Sequence, residues 1–356
     1  MTSTINNAPT SAPKPGKPWE PTLKERSQKI LNFLISLALS VVLLFTTGLN
    51  GKLGWVIAFF LSFTVVSFIA EFRRAGKPAA QDSLLTSASR FAITLAVIPI
   101  ISILATVIVK GWRGLHWGLF TQDMSQATVN DPIQNGGMLA AIVGTVIMVG
   151  LALIFTLPIS ILTALYLTEI KGKFAKPIRF LVQAMSGVPS IVAGLFILSS
   201  VVYPITGERN GLMGALALAI LMIPTVARTA EEVLLLIPND LREAGLALGA
   251  TQWRTVAMVV VPAVKSGLVT AVILGIARVI GETAPILLVS GGGEATNFNP
   301  VSGPMGSIPY YVWKSFLLGG TEESTQRTWA GLLVLLVWVL LLFSVARYIS
   351  SRSQKR

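Results

Sequence analysis

The sequence predicts an all-α membrane protein, a polytopic bundle of transmembrane helices. Hydrophobic residues make up 53% of its 356 residues, charged residues only 12%, and the mean hydropathy is +0.71. Apolar runs of the ~20 residues that are needed to cross the hydrocarbon layer recur along the chain. Lys and Arg gather in alternate segments between these runs, which is typical of multi-pass proteins. Lipid is therefore the expected solvent for most of the chain.

The apolar runs predict eight spans. A basic linker at 71–90 follows the first two, and six more spans make up the region 91–349. One run, 256–289, is too long for a single simple span. Residues 1–30 are polar, and no cleavage site follows the first run, so we expect a cytoplasmic disordered tail and not a cleaved signal. The spans are 31–49, 53–70, 91–109, 138–157, 180–203, 212–227, 256–289 and 329–349, and residues 350–356 form a second tail.

Basic residues set the predicted orientation. Of the 28 Lys and Arg residues, 21 fall in segments that lie inside if the amino terminus is cytoplasmic, and six fall outside. Because basic residues concentrate on the cytoplasmic side, we expect a cytoplasmic-membrane protein with both termini in the cytoplasm. The net charge of +12 then reflects topology and an anionic inner leaflet. Membrane lipid, and not nucleic acid, is the predicted partner.

Scarce residue types exclude several chemistries. The chain has no cysteine and one histidine, His116. Disulfides, thiolate sites and metal sites built from several histidines are therefore excluded. No stretch matches the Gly-x4-Gly-Lys-Ser/Thr loop that cradles nucleotide phosphates. We expect no metal, no cofactor and no catalytic residue, so the chain is not an enzyme, and any ATP that drives it must be bound by another chain.

A spaced motif lies in a polar segment between two predicted spans. Its residues are Glu243-Ala244-Gly245, Gly249 three residues later, Val259 after nine more, and Val261-Pro262. The charged residues around it, at helix-compatible spacing, predict short helices between Pro238 and Pro262.

This motif resembles the Glu-Ala-Ala loop of binding-protein-dependent ABC importer permeases. That family prefers Ala, Ile and Leu at the positions of Gly245, Val259 and Val261. In the family the loop forms a coupling helix that docks on the ATPase subunit. The resemblance implies this docking role for Glu243, Ala244, Gly245 and Gly249. The alternative is an amphipathic helix that meets lipid headgroups.

A second group of motifs narrows the resemblance. The stretches are 187–192, 194–196, 224–232 and 278–285. Together they resemble the phosphate permeases of the PstA branch, since Ala284-Pro285 follows the Gly-Glu-Thr that the sister PstC subunits also carry. The resemblance implies a type I core of six helices, with a coupling loop at 228–262. The two amino-terminal spans, 31–70, have no counterpart in that core.

The same resemblance implies a function and partners. The chain would be the permease of an ATP-driven importer of inorganic phosphate that works by alternating access. Its partners would be a PstC-like permease, two copies of a PstB-like ATPase and a PstS-like extracytoplasmic phosphate-binding protein. Two alternatives stay open: a permease for another oxyanion, such as sulfate or phosphonate, and an ATP-independent secondary carrier.

Two charged residues stand out within a predicted span. A charge at mid-bilayer costs ~2.5 to 3.5 kcal/mol on insertion scales and marks a pathway or a pair. Arg278 and Glu282 are four residues apart, so on a continuous helix they would share a face. They form either a structural ion pair or a cationic station for an anion, with Glu282 holding the guanidinium in place. Arg suits phosphate because its planar fork bonds two oxygens at once.

Three further residues are candidates for the substrate pathway. Arg228 lies at the inner end of its predicted span, where it either meets the anion or snorkels to the interface. Thr283 offers a hydroxyl beside the charged pair. Ser190 offers another next to Pro189, which should loosen its helix. The alternative for both hydroxyls is a hydrogen bond to their own backbone.

Overall fold

The computed structural model describes residues 23–48 and 51–353, and helices dominate throughout. Most of the predicted amino-terminal tail (1–22) and the last three residues (354–356) lie outside the described residues. The chain divides into two compact units, residues 1–103 and 104–356. The all-α prediction is confirmed: in the described ranges, the β-structure consists of an isolated bridge between Gly291 and Met305.

The first unit contains helix α1 (Leu23–Thr47) and most of helix α2 (Lys52–Trp112). Gly76 interrupts α2 with φ 79° and ψ −167°. The rings of Phe60 and Phe91 lie 4.7 Å apart, whereas a straight helix would place these residues about 46 Å apart at 1.5 Å per residue. The chain therefore folds back at Gly76. The predicted linker 71–90 is helical on both sides of this turn.

The second unit contains the end of α2 and twelve further helices within the described residues. π-helical turns extend three of them, at Tyr166–Ile170, Leu198–Thr206 and Val256–Val260. The helices are α3 (Trp117–Thr121), α4 (Leu139–Leu165), α5 (Ala175–Ser186), α6 (Ser190–Ile197), α7 (Gly211–Leu235), α8 (Asn239–Ala247), α9 (Gln252–Thr255), α10 (Val261–Ala263), α11 (Lys265–Val279), α12 (Ala284–Val289), α13 (Ile308–Leu317) and α14 (Glu322–Ser353).

Helix α7 is the centre of this unit. It begins at Asn210, whose side chain accepts a hydrogen bond from the backbone N–H of Met213 at 3.1 Å and so caps the helix. Its buried Leu218, Met222 and Val226 belong to one hydrophobic cluster with residues of α4. Helix α11 also packs on α7, and a Cβ on Gly275 would lie 2.4 Å from a Val226 methyl group. Such close approach through small residues is typical of helix contacts in membranes.

Five described helices are long and apolar enough to cross a membrane, and up to seven if each bent pair counts as one span. The predicted number of eight therefore stays a prediction. The span 180–203 is not straight: α5 and α6 meet at 105°, because Pro189 caps α6 after a break at Gly187 and Val188. The long run 256–289 is likewise divided, with a 73° bend before α11.

The predicted inner end of one span needs correction. The sequence placed the end at 227 because charged residues follow, but α7 continues to Leu235. The helix can continue because Glu231, only 7% exposed, accepts two hydrogen bonds from Arg179 of α5, at 2.6 and 2.9 Å. Two charge-assisted hydrogen bonds to one carboxylate oxygen offset the desolvation of the carboxylate. The first eight residues of the predicted loop 228–262 thus belong to α7.

Two regions lie at opposite ends of α7. We call residues 122–137 and 291–307 the loop cap, and residues 236–260 the coupling segment. Beside the start of α7, the side-chain amide of Asn210 donates to the Val301 carbonyl at 2.8 Å. At the other end, Arg242 donates to the Leu234 carbonyl at 3.1 Å. The short helices predicted between Pro238 and Pro262 are present as α8, α9 and α10.

Candidate transport pathway and coupling segment

Arg278 lies at the carboxyl end of α11 and reaches across to α7. Its Nη1 donates to the Thr225 hydroxyl at 2.9 Å. Thr225 lies 14 residues after the start of α7 and 10 before its end, about 21 and 15 Å from the two ends at 1.5 Å per residue. The side chain of Arg278 is exposed at this depth. A guanidinium is therefore presented near the middle of a spanning helix.

The expected pairing of Arg278 with Glu282 is not formed. Helix α11 ends at Val279, and residues 280–283 are non-helical, so the two side chains do not share a helix face. The sequence suggested one helix because it is continuously apolar there, apart from these two charges. No ion pair or hydrogen bond from the described residues reaches the partly exposed Glu282 carboxylate; its backbone N–H donates to the Val279 carbonyl at 3.1 Å.

This geometry leaves the Arg278 guanidinium open to an anion. A guanidinium has five N–H donors, and within the described part of the chain one of them is used, on Thr225. A neutral hydroxyl orients the guanidinium without cancelling its charge. Both roles left open by the sequence place Glu282 against the guanidinium, whereas Thr225 takes that place, so the anion station stays a prediction.

Arg228 lies three residues after Thr225 on α7, and therefore on the same face. Its Nε lies 3.4 Å from the Glu232 carboxylate, and both side chains are more than half exposed. An exposed pair of this kind contributes less than about 1 kcal/mol. The structure thus brings Arg278 and Arg228 to one face of α7, one turn of helix apart.

Thr283 and Ser190 lie on neighbouring elements away from that face. Thr283 precedes α12 and lines a cavity of about 600 Å³ with Lys110, Trp313 and Thr328 among others. Ser190 is the first residue of α6, which contacts α12 closely at Gly194 and Pro285. No hydrogen bond between either hydroxyl and Arg278 is present.

The motif residues of the coupling segment divide by exposure. Glu243 and Ala244 are exposed on α8, whereas Gly245 is buried against α9. A Cβ at position 245 would lie 2.6 Å from Cγ2 of Thr255, which explains why glycine stands where the related loops prefer alanine. Gly249 has φ +79°, the left-handed conformation that ends α8 and that glycine adopts without strain. The two glycines thus fix the shape of the segment, whereas Glu243 and Ala244 stay exposed.

Arg242 and Glu169 hold the coupling segment, and the sequence did not indicate their pairing. Nε and Nη2 of Arg242 both donate to the Glu169 carboxylate, each with a contact of 2.9 Å. Both side chains are largely covered, at 19% and 6% exposure. Gln252 adds a hydrogen bond to the Glu169 carbonyl at 2.8 Å. Because 73 residues separate the pair, the sequence showed only that a charged residue, Glu169, follows an apolar run.

At the other end, Arg327 of α14 is fully buried and fixes the loop cap. Its Nη2 donates to the carbonyl groups of Asp131, Pro132 and Asn135, at 3.2, 2.8 and 2.7 Å. In the sequence, Arg327 is one of the six basic residues of the predicted outside segments. Its burial could not be anticipated, because its partners are backbone atoms with no residue signature.

Asp123 joins the two halves of the loop cap. One carboxylate oxygen accepts from the N–H and hydroxyl of Thr296, each at 2.9 Å, and the other from the Ser125 hydroxyl at 2.6 Å. These hydrogen bonds, led by that from Ser125 and opposed by partial burial, lower the pKa of Asp123 from 3.8 to about 2. The carboxylate is therefore ionised at any physiological pH.

A family model and several relatives match this chain, and all of them belong to membrane transport systems. The family model described as binding-protein-dependent transport system inner membrane component matches residues 156–355. The chain is 33% identical over 281 residues to the phosphate transport system permease protein PstA 1 of Mycobacterium tuberculosis H37Rv, covering 77% of this chain and 90% of the relative. It is 35% identical over 278 residues to PstA of Pasteurella multocida Pm70, covering 77% and 96%.

A solved structure supports the fold alone. The bacterial alginate ABC transporter, in complex with an alginate pentasaccharide-bound periplasmic protein, has a chain that matches with a TM-score of 0.57 at 16% identity, covering 78% of this chain and 98% of that one. This structure supports the type I importer permease fold, and the family model and the relatives, together with the apolar helices described above, identify a multi-pass inner-membrane protein. The chain belongs to the family of binding-protein-dependent transport system inner membrane components and, within it, to the PstA phosphate transport permeases.

Proposed function

We propose that this chain is the membrane-spanning permease subunit of an importer for inorganic phosphate, driven by ATP that a separate subunit hydrolyses. The observation that carries the proposal is the Arg278 guanidinium, held by Thr225 at mid-span with most of its donors free. Phosphate is a tetrahedral oxyanion, and a guanidinium binds two of its oxygens at once. The relatives named as phosphate transport permeases support the same substrate.

The pathway continues along the face of α7 that carries both cations. Phosphate binds first at Arg278 and then meets Arg228, whose weak contact with Glu232 is easily exchanged for an anion. Glu282, which lacks a partner among the described residues, repels the anion from one side and favours its release. Thr283 and Ser190 supply hydroxyl groups on the neighbouring elements. Phosphate therefore moves between weak binding sites and is not held in one tight site.

The coupling segment transmits the ATPase motion. Glu243 and Ala244 form the docking surface, whose shape the buried Gly245 and the left-handed Gly249 fix, with exposed Leu248 (89%) beside it. Arg242 and Glu169 join this surface rigidly to the end of α4. A displacement of α8 by an ATPase therefore moves α4, and through their shared core also α7. This is a physical route for alternating access.

The complete importer contains a PstC-like permease, two PstB-like ATPase subunits and a PstS-like extracytoplasmic receptor. Both termini and the coupling segment are cytoplasmic, and the loop cap faces the receptor. This orientation agrees with the excess of basic residues that is predicted inside. This chain by itself neither binds ATP nor transports.

The test is uptake of labelled phosphate at low external concentration in cells with the gene deleted and then restored. We expect the wild type to restore uptake and Arg278→Gln to lower it at least tenfold, at equal membrane expression. Arg113→Gln, which changes an exposed loop arginine, is the matched control and should transport normally.

Two further measurements test the alternatives, a permease for another oxyanion and a secondary carrier. Excess sulfate or phosphonate should leave uptake unchanged, and loss of ATP hydrolysis in the partner ATPase should abolish it. Normal uptake by Arg278→Gln would contradict the anion station. Uptake that persists without ATP hydrolysis would instead identify a secondary carrier.

A further inference from the structure

The first unit contains a polar cavity that phosphate transport does not use. It has a volume of about 420 Å³. It is lined by residues of α1 and of the parts of α2 before and after Gly76. All of these residues precede the family match at 156–355. The lining includes Lys29, Ser67, Glu71, Asp82, Thr86 and Arg90.

The cavity carries two cations and two carboxylates that are not paired with one another. Lys29, Asp82 and Arg90 form no ion pair with the described residues. Among the described residues, Glu71 pairs with Arg74, which does not line the cavity, at 3.9 Å. Charges that share a cavity without pairing are available to a ligand, and this set matches a zwitterion with one anionic and one cationic group.

An aromatic groove continues from this cavity. The groove has a volume of about 340 Å³, and Phe63 and Arg90 line both spaces. Its other walls are Phe33, Phe59, Phe60, Ile93 and Thr94. A polar cavity beside an apolar groove fits an amphiphile, with its headgroup in the first and its acyl chain in the second.

The order of the groups along α2 fits one class of amphiphile. Glu71 and Asp82 lie nearest the turn at Gly76, and Arg90 lies about 12 Å further along the helix axis, at the entrance to the groove. From water towards the hydrocarbon, an ethanolamine phospholipid presents an ammonium, a phosphate and then acyl chains. Its ammonium would meet the carboxylates, its phosphate the guanidinium fork of Arg90, and its chain the phenylalanines.

We propose that the two amino-terminal helices form a binding site for phosphatidylethanolamine, with Arg90 and Lys29 on the phosphate and Asp82 and Glu71 on the ammonium. Phosphatidylglycerol has no ammonium group to contact the carboxylates. Phosphatidylcholine has a charge in the right place but no N–H to donate. The inference does not depend on which solute the permease carries.

The test is native mass spectrometry of the full-length chain in mild detergent, with dioleoyl phosphatidylethanolamine, phosphatidylglycerol or phosphatidylcholine added separately after delipidation. We expect one retained phosphatidylethanolamine per chain and at least fivefold lower occupancy by the other two lipids. Arg90→Gln and Asp82→Asn should each lower phosphatidylethanolamine occupancy at least fivefold, and Arg90→Lys should retain part of it.

The matched control is Arg73→Gln, which removes an exposed cation of the same helix that does not line the cavity. It should bind phosphatidylethanolamine as the wild type does. Soluble phosphoethanolamine in millimolar excess should not displace the lipid, because it lacks the chain that fills the groove. Should Arg90→Gln fail to elute as a monodisperse peak, Asp82→Asn decides. Equal retention of phosphatidylcholine, or unchanged occupancy in Asp82→Asn, would overturn the proposal.

Discussion

The loop cap and the coupling segment close opposite ends of α7, and different kinds of contact hold them. In the loop cap, Arg327 is fully buried and binds three backbone carbonyls, while Asp123 accepts from both halves of the cap. In the coupling segment, Arg242 also donates to two backbone carbonyls, those of Leu234 and Ile237, but it pairs in addition with a side chain, the largely covered Glu169 carboxylate. Many contacts to backbone fix a shape. The ion pair between α8 and the end of α4 adds a contact between two side chains, which transmits motion from one helix to the other.

The largest effect should follow from removing the cation of the loop cap. Arg327→Met removes a fully buried guanidinium and its hydrogen bonds to three carbonyl groups, and a hydrogen-bonding group left unsatisfied in a buried site costs about 1 to 3 kcal/mol. We expect amide hydrogens of residues 122–137 to exchange at least 100-fold faster, equivalent to about 3 kcal/mol or more. Hydrogen exchange with mass spectrometry measures this. Arg113→Met, at an exposed position, is the control, and equal protection in both variants would refute the role of Arg327.

A smaller loss should follow from breaking the anchor of the coupling segment. Arg242→Gln leaves the nearly buried Glu169 carboxylate without its bidentate partner, which we expect to cost about 2 to 3 kcal/mol, below the range for fully buried pairs. Faster exchange across residues 239–249 measures the loss. Arg228→Gln breaks an exposed pair and should lower stability by less than about 1 kcal/mol. Similar effects of the two substitutions would show that burial of the Arg242 pair is unimportant.

A still smaller effect on stability is expected at the contact between Gly245 and Thr255, and its sign should depend on the residue at position 255. Alanine at position 245 gains about 1 kcal/mol of helix propensity over glycine, but its Cβ overlaps Thr255, and overpacking costs about 1 to 3 kcal/mol. Gly245→Ala should therefore destabilise the segment by about 1 kcal/mol. In a Thr255→Ala background, which removes the overlapping methyl group, the same change should stabilise it. Thermal unfolding of the four variants measures the coupling, and simple additivity would argue against the steric account.

The smallest effect concerns the ionisation of Asp123. Its pKa is lowered to about 2 in the folded protein, from 3.8. The stabilisation is therefore fully present above pH 3.8 and is lost as the pH falls through 2. After discounting for solvent screening, we expect at most about 1 kcal/mol. Protection of residues 291–299 should fall between pH 4 and pH 2 in the wild type but not in Asp123→Asn. The same pH dependence in both would assign the effect to another group.

The sequence by itself determined the all-α membrane class and the family. Hydropathy and charge are read over windows of about 20 residues, and the spaced motif from Glu243 to Pro262 is also local. For the same reason, the short helices between Pro238 and Pro262 could be predicted from sequence. The prediction that Arg278 and Glu282 share one helix face was wrong, because a continuous apolar run does not show where a helix breaks.

The tertiary structure alone decided which charges meet. Arg242 pairs with Glu169 across 73 residues, Arg179 with Glu231 across 52, and Arg327 binds a carbonyl 192 residues away. Each of these arginines looked like an ordinary basic residue of a connecting segment. Burial and hydrogen bonding depend on neighbours that the fold brings together, and a local pattern contains no information about them. The same holds for Arg278, whose partner Thr225 was visible only once α7 and α11 were packed together.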